Sequence, residues 1–408
     1  MERMERIHRN ETVLFITSCF PPYVGASERR NSHFVYALRR FTKNIHVLSY
    51  HISPSKIKMP YFQEEMVKHI RTVRFTIKAK WIGKLLLFKK FINPLYIWLC
   101  FLSSLIFMLI RKVKYVFVTV PSFPLGFSVA LACKILRKRL ILDLHDIPGS
   151  IRLDWHKLFN GSLIVPLSIS GSKLIVSVNN PIKKEASFFK SPSSIRVIPN
   201  GIDSEIIRNM TKNSRLQTAV FVGGASLDWY YEPEFLIKTV SFLKEINSDI
   251  NLKIVGASNS LQITLSKLIK KYNLTDYVTI CSPKPLEELY DMLLRSSVGI
   301  IQFSKKSMTF YDYAASLLAL PAKVVEYLAC GLSVAYRGPN GPLVRFITRN
   351  SVGAIVDTES PKVFASCIND AFQLRQENPS HFDDFSKKVL HRYDQITLFN
   401  RFLQKIFY

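Results

Sequence analysis

Acidic side chains are scarce in this chain of 408 residues: 30 Asp and Glu stand against 56 Lys and Arg. The shortage is one-sided. Residues 1–200 hold 32 basic and 10 acidic side chains (32 − 10 = +22), and residues 201–408 hold 24 and 20 (24 − 20 = +4). Such a field favours a polyanionic partner, whether a membrane surface, a phosphorylated substrate or nucleic acid. Cysteine is sparse too. Cys19, Cys100, Cys133, Cys281, Cys330 and Cys367 form no Cys-x-x-Cys pair, which argues against a disulfide framework or a zinc site and suits a reducing compartment. No P-loop, GxGxxG or Ser-His-Asp order occurs. No secretory leader is legible either: the first apolar run, VLFITSCF, is short and meets Pro21-Pro22, so it reads as a strand entering a loop. What is plentiful is apolar surface. At 48% hydrophobic and 12% aromatic the chain can fill large cores, and its length fits two or three domains.

Short apolar runs alternate with helix-length segments, the pattern of parallel sheets covered by helices. In the first half they are TVLFITS (12–18), NIHVLSY (44–50), YVFVTV (115–120), RLILDL (139–144), KLIVSV (173–178) and IRVIP (195–199). In the second they are TAVFVG (218–223), NLKIVG (251–256), YVTICS (277–282), VGIIQF (298–303), LSVAYR (332–337) and VGAIVD (352–357). Several lack charge on both faces, as strands buried from two sides do. The rhythm breaks in the polar stretch GIDSEIIRNMTKNSRLQ (201–217). The expectation is an α/β chain of two doubly wound domains, 1–200 and 201–391, facing each other across a cleft, with a C-terminal helix over 392–408 returning to the first. Ligands of such sheets bind beyond the carboxyl ends of the strands.

FINPLYIWLCFLSSLIFMLI (91–110) is 20 residues without a charge, bracketed by Lys89-Lys90 and Arg111-Lys112. It could span about 30 Å. A crossing is disfavoured, because YVFVTV would then lie across the membrane from TVLFITS, its expected sheet partner, and because basic residues at both ends give no orientation signal. Two readings stay open: a helix seated partly in the domain and partly in a lipid interface, and a fully buried core helix.

PAKVVEYLACG (321–331) reads as a short helix opened by Pro321 and closed by Gly331. Val324, Val325, Leu328 and Ala329 give it an apolar face, while Lys323 and Glu326, at i and i+3, share one side near its anion-attracting amino end. By itself this reads first as a surface ion pair on an amphipathic helix.

Four stretches carry a resemblance. SIRVIPNGID (194–203) is similar to the V-I-P-N-G-[IV]-D signature of GT-B-fold glycosyltransferases, and LFITSCFPPYVGASERR (14–30) resembles their first strand and glycine loop. AVFVGG (219–224) with LKIVGAS (252–258), and PAKVVEYLACGLSV (321–334), resemble their donor domain. Within that group the chain looks like glycosyl transferases of group 1, family 4-like, including those of exopolysaccharide, capsule and teichuronic acid assembly. The resemblance implies a GT-B fold and a nucleotide-diphosphate sugar as co-substrate, with no other cofactor.

It also implies roles. Glu326 matches the ribose-binding glutamate, and one carboxylate accepting from both hydroxyls of a diol makes a strong charge-assisted pair of bonds. Lys323 matches the cation that meets the diphosphate, whose charge grows as the bond to the sugar breaks. Gly223 and Gly224 follow a strand, where backbone N–H groups can approach phosphate; a plain tight turn is the competing reading. Gly25 matches the glycine near the donor phosphate. Arg29 or Arg30 could add charge there or meet an acceptor phosphate, and a solvated helix start competes with that. His145 resembles the acceptor-side histidine and could orient the acceptor hydroxyl or the donor sugar, and Asp146 could act as general base in an inverting enzyme or simply cap a helix. No Asp-x-Asp triplet occurs among the fourteen aspartates, so no bridging metal is expected.

Two departures stand out. The acid that many retaining members place eight positions before the ribose glutamate is Leu318 here, and the loop ASLDWYYEPE (225–234) has no cation. The expectation is a metal-independent glycosyltransferase, hexosyltransferase-type, acting on a lipid-linked or growing glycan from the cytoplasmic face of a membrane, peripherally bound through 81–114. A sugar-nucleotide epimerase of the same fold is the alternative, and a catalytically inactive membrane- or anion-binding protein is another. Nucleic acid is not expected as a partner, because the cations are interleaved with aliphatic runs such as KWIGKLLLFKK (80–90), which suits lipid better than a phosphate-tracking groove.

Overall fold

The structure is a computed structural model and describes residues 11–18, 20, 26–53, 62–67, 70–78, 89–120, 123–145, 165–210, 215–223, 232–303 and 321–407. The chain divides into two compact units, residues 1–199 with 395–408, and residues 200–394.

The first unit is built on a sheet of β1 (Val13–Thr17), β2 (Ile45–Ser53), β3 (Phe62–Val67), β4 (Ile70–Lys78), β5 (Tyr115–Val120), β6 (Arg139–Leu144), β7 (Leu174–Ser177) and β8 (Ile195–Val197), in the order β3-β4-β2-β1-β5-β6-β7-β8. All neighbours pair in parallel except β3 and β4, which are antiparallel. The uncharged runs of β1 and β5 are buried throughout, as strands covered on both faces must be. Helices α1 (Ala26–Leu38), α2 (Lys89–Ile110), α3 (Phe123–Ile135), α4 (Val165–Gly171) and α5 (Asn180–Ala186) complete the first pass of the chain. One face carries Phe15, Phe34 and Phe117 with Phe399, Phe402 and Leu403 from the C-terminal helix, and Phe34 stacks on Phe399 at 4.2 Å. The other face carries Cys100, Met108, Val129 and Cys133 of α2 and α3.

Helix α2 is not buried all round. Cys100, Ser104 and Met108, four residues apart, face the core, while Trp98, Leu102, Ile106, Leu109 and Ile110 form an exposed apolar stripe, Trp98 at 59% and Ile110 at 70% of full exposure. The fully buried reading of 91–110 is thereby corrected: Cys100, Ser104 and Met108 seat the helix, with Ile97, Phe101, Leu105 and Phe107 packed part-buried beside them. Among the described residues no helix is long and apolar enough to cross a membrane.

The second unit holds α6 (Ser204–Arg208), β9 (Thr218–Val222), α7 (Pro233–Ile246), β10 (Asn251–Val255), α8 (Asn259–Lys271), β11 (Val278–Cys281), α9 (Leu286–Leu294), β12 (Val298–Gln302), α10 (Ala322–Ala329), β13 (Ser333–Arg337), α11 (Pro342–Asn350), β14 (Gly353–Val356), α12 (Pro361–Glu377) and α13 (Pro379–Arg392). Its sheet runs β11-β10-β9-β12-β13-β14 and is parallel throughout. Helix α14 (Gln395–Phe407) belongs to the first unit.

Candidate functional site

Each sheet starts in its middle and is then extended to both sides, so each has a switch point where neighbouring connections diverge: β1/β5 in the first unit and β9/β12 in the second. Ligands of open parallel sheets bind beyond the carboxyl ends of the strands at that point.

In the second unit the pairing of β9 with β12 covers only Val298↔Ala219 and Gly299↔Val220, and then the strands part. Tyr327 of α10 fills the opening. Its hydroxyl accepts the Val222 N–H at 2.9 Å and donates to the Ile300 carbonyl at 3.4 Å. Its ring packs directly against Gly299, where a Cβ would come within 2.1 Å of it. The helix is thus pinned to both strands one turn beyond Lys323. Pro321 precedes its first turn, and Gly331, with φ +76°, follows its last. The carbonyls at that end are taken by two arginines: Arg215 Nη2 donates to Cys330 O at 2.6 Å and Arg375 Nε to Gly331 O at 2.8 Å. Cations suit the negative end of a helix. Burial, with Arg375 beside it, pushes Arg215 down to about 10.

This frame brings together three of the expected donor residues. Lys323 is half-buried, with its ammonium 5.4 Å from the centre of the Phe221 ring at the end of β9. Gly223 follows two residues later and donates its N–H to Val255 O at 2.9 Å. Glu326 is buried at 2% exposure on the same helix. A carboxylate is not removed from water without compensation, and Glu326 is engaged within the protein. Gly224, Leu318 and loop residues 225–231 lie outside the described residues. A cation that the sequence of this loop lacks does arrive at its far end. Arg337, at the end of β13, stacks 3.6 Å over Phe235 and reaches Glu359 at 3.1 Å and Glu232 at 3.7 Å. Glu232 stands at the N-cap position of α7, so Arg337 holds the residue from which that helix starts.

In the first unit the switch point is lined by hydroxyls. Thr119 donates to Thr17 Oγ1 at 2.7 Å, and Asn31 Nδ2 donates to the same oxygen at 2.8 Å. One strand further, His145 follows β6, and its Nε2 lies 2.8 Å from Asp143 Oδ2. Arg30 meets the same carboxylate with two nitrogens, Nε to Oδ2 at 3.0 Å and Nη2 to Oδ1 at 2.8 Å, while Nη1 donates to Pro199 O at 3.1 Å. Burial alone would raise the Asp143 carboxyl; Arg30 and His145 outweigh it and hold it well below the usual carboxylate range. Arg30 is therefore corrected from a phosphate ligand to an internal counter-ion: it is 2% exposed and all three of its nitrogens are engaged inside the unit. Arg29, beside it, remains half-buried. Gly25 and Asp146 lie outside the described residues. Among the described residues no group of three or more His, Cys, Asp or Glu is gathered for a metal.

Residues 203–389 match the family model for glycosyl transferases group 1. HepE from Anabaena, solved in complex with UDP, superposes with a TM-score of 0.66 at 15% identity over 96% of this chain and 98% of that one. The fold is GT-B. Sucrose-phosphate synthase from Thermosynechococcus elongatus shares it, with a TM-score of 0.63 at 14% identity over 97% and 98% of the two chains. So does a putative UDP-N-acetylglucosamine 2-epimerase from Listeria monocytogenes, at 0.58 and 13% over 97% and 96%. No curated protein matches. A UDP complex, a synthase and a putative epimerase thus share one fold, and the chemistry of this chain has to be argued from its own residues.

Proposed function

We propose that this protein is a glycosyltransferase that moves a sugar from a nucleotide-diphosphate donor, without a metal, to a lipid-linked or growing glycan acceptor at the cytoplasmic face of a membrane. The observation that carries the reading is helix α10, which opens at the β9/β12 switch point with Lys323 over the Phe221 ring at the end of β9 and a buried Glu326, inside the stretch that matches glycosyl transferases group 1. In this reading Glu326 accepts from the ribose diol. Lys323, with Gly224, takes the diphosphate and its growing negative charge, while the Gly223 N–H, held by Val255 O, leaves that glycine only the close approach of a backbone without a side chain. Gly25 and Arg29 belong to the phosphate side, and His145 with Asp146 to the acceptor hydroxyl. The UDP of HepE favours a uracil base.

The membrane part rests on separate features. The exposed stripe of α2 adjoins α3, which exposes Leu131 and Ile135. Both helices end beside neighbouring strands, at Arg111-Lys112 and Arg137-Lys138, so their cations share one end of the sheet. Every Asp and Glu is absent between Glu65 and Asp143. An apolar plane rimmed by cations is the surface an anionic bilayer accepts. An epimerase would leave this plane idle, which is why transfer is preferred. Of the stretch 81–114, residues 81–88 lie outside the described residues.

The test is thermal unfolding with UDP, GDP, ADP and dTDP, with and without Mg²⁺, on wild type and Glu326→Gln. At a hundredfold excess over Kd the preferred nucleotide should raise Tm by roughly 5–10 °C, independently of metal. Glu326→Gln should weaken it roughly ten- to a hundredfold, the value of a charged hydrogen-bond pair. No shift with any nucleotide overturns the reading.

A further inference from the structure

Asp143 interrupts a strand, RLILDL, whose other central residues are core aliphatics. A charge in that position must be paired, and the pairing is specific: Arg30 from α1 grips both carboxylate oxygens, leaving Oδ2 to bridge Arg30 and His145. Arg30 is in turn fixed by the Pro199 carbonyl and by the ring of Phe399, 5.0 Å away. The carboxylate cannot rotate without breaking two charged bonds.

We infer that Arg30 and Asp143 are positioning residues that hold His145 with its proton on Nε2, so that Nδ1 is presented as the acceptor for a substrate hydroxyl. The argument is one of donors and acceptors. An ionised carboxylate only accepts, so the ring nitrogen 2.8 Å from Oδ2 must carry a hydrogen. In the neutral ring the other nitrogen is then a bare lone pair. Among the described residues Asp143 is the only side chain bonded to His145, and His145 stands just past the carboxyl end of β6, where substrates of such sheets approach. The ligand class is a polyol or other hydroxyl donor. That assignment rests on the acceptor-side reading of His145 given above; the tautomer does not.

The test is nitrogen-15 NMR of the full chain labelled at histidine, with the His145 ring assigned by its loss in His145→Gln. The wild type should show a protonated Nε2 and a pyridine-like Nδ1. In Asp143→Asn an amide N–H₂ replaces one acceptor oxygen, so the ring should lose its single tautomer or exchange it. A role confined to packing would leave the tautomer unchanged. A wild-type proton on Nδ1, or an unaltered tautomer in folded Asp143→Asn, overturns the inference; if that variant does not fold, the wild-type spectrum alone decides. The measurement needs no nucleotide, so it stands apart from the test of the transferase reading.

Discussion

Replacing Tyr327 by phenylalanine removes one oxygen from the point where β9 and β12 part. The ring remains on Gly299, so no cavity opens. The substitution removes the acceptor of the Val222 N–H at 2.9 Å and a longer bond to Ile300 O at 3.4 Å. The strands have already separated there, so no ladder partner replaces the hydroxyl for Val222. A part-buried N–H left without an acceptor costs about 1–2 kcal/mol, and for a unit of this size that lowers Tm by roughly 3–6 °C. Hydrogen exchange at the Val222 amide should accelerate by the matching factor of roughly 5–30. Because the same hydroxyl ties α10 to the strands, nucleotide affinity should fall as well, though less than in Glu326→Gln. An unchanged Tm with unchanged Val222 protection would refute the pinning argument. Stability lost without any change in affinity would refute only its link to the site.

Lys323→Ala should lower turnover with a nucleotide sugar by on the order of a hundredfold or more while changing nucleotide Kd far less, since leaving-group charge grows in the transition state; equal losses in kcat and affinity would mean ground-state attraction alone. Leu102→Glu with Ile106→Glu should abolish co-sedimentation with anionic vesicles and leave nucleotide binding intact. Vesicle binding that survives this pair removes α2 from the membrane. Asp143→Asn should destabilise the first unit by about 3–5 kcal/mol, as a buried charge left unpaired does. Because the folded carboxyl is held below its unfolded value, that contribution is complete above about pH 4 and is lost only as pH falls further. A wild-type-minus-variant difference that already shrinks between pH 7 and 5, read by urea unfolding, would contradict the ion pair.

How much of this was legible beforehand depends on what each residue reveals locally. The uncharged runs of β1, β5, β9 and β12 announce themselves because burial on both faces forbids charge. Helix α10 is readable to within a residue or two, because Pro321 and Gly331 carry their backbone preferences with them. Strands β3 and β4 escaped notice. FQEEMV and IRTVRFTIK are studded with charge, as strands near a sheet edge are, and a search for apolar runs passes over them. Arg30 was misread for a different reason: its partner lies 113 positions away, and an exposed arginine pair looks no different in sequence from one that is buried. Asp143 could have given it away. A lone carboxylate within an aliphatic strand demands a cation, and α1 is where the glycine loop delivers one.

The stacking of Phe34 on Phe399, with Phe402, Leu403 and Ile406 buried around it, also sets an order of events during synthesis. The first unit lacks part of one face of its core until residues 395–407 have left the ribosome, whereas residues 200–394 contain everything the second unit needs. The half of the chain that is made first is therefore finished last. In the interval Phe34 and its neighbours present an open aromatic surface, a natural target for a chaperone and a site of aggregation if elongation stalls. Loss of the last helix would make that interval permanent.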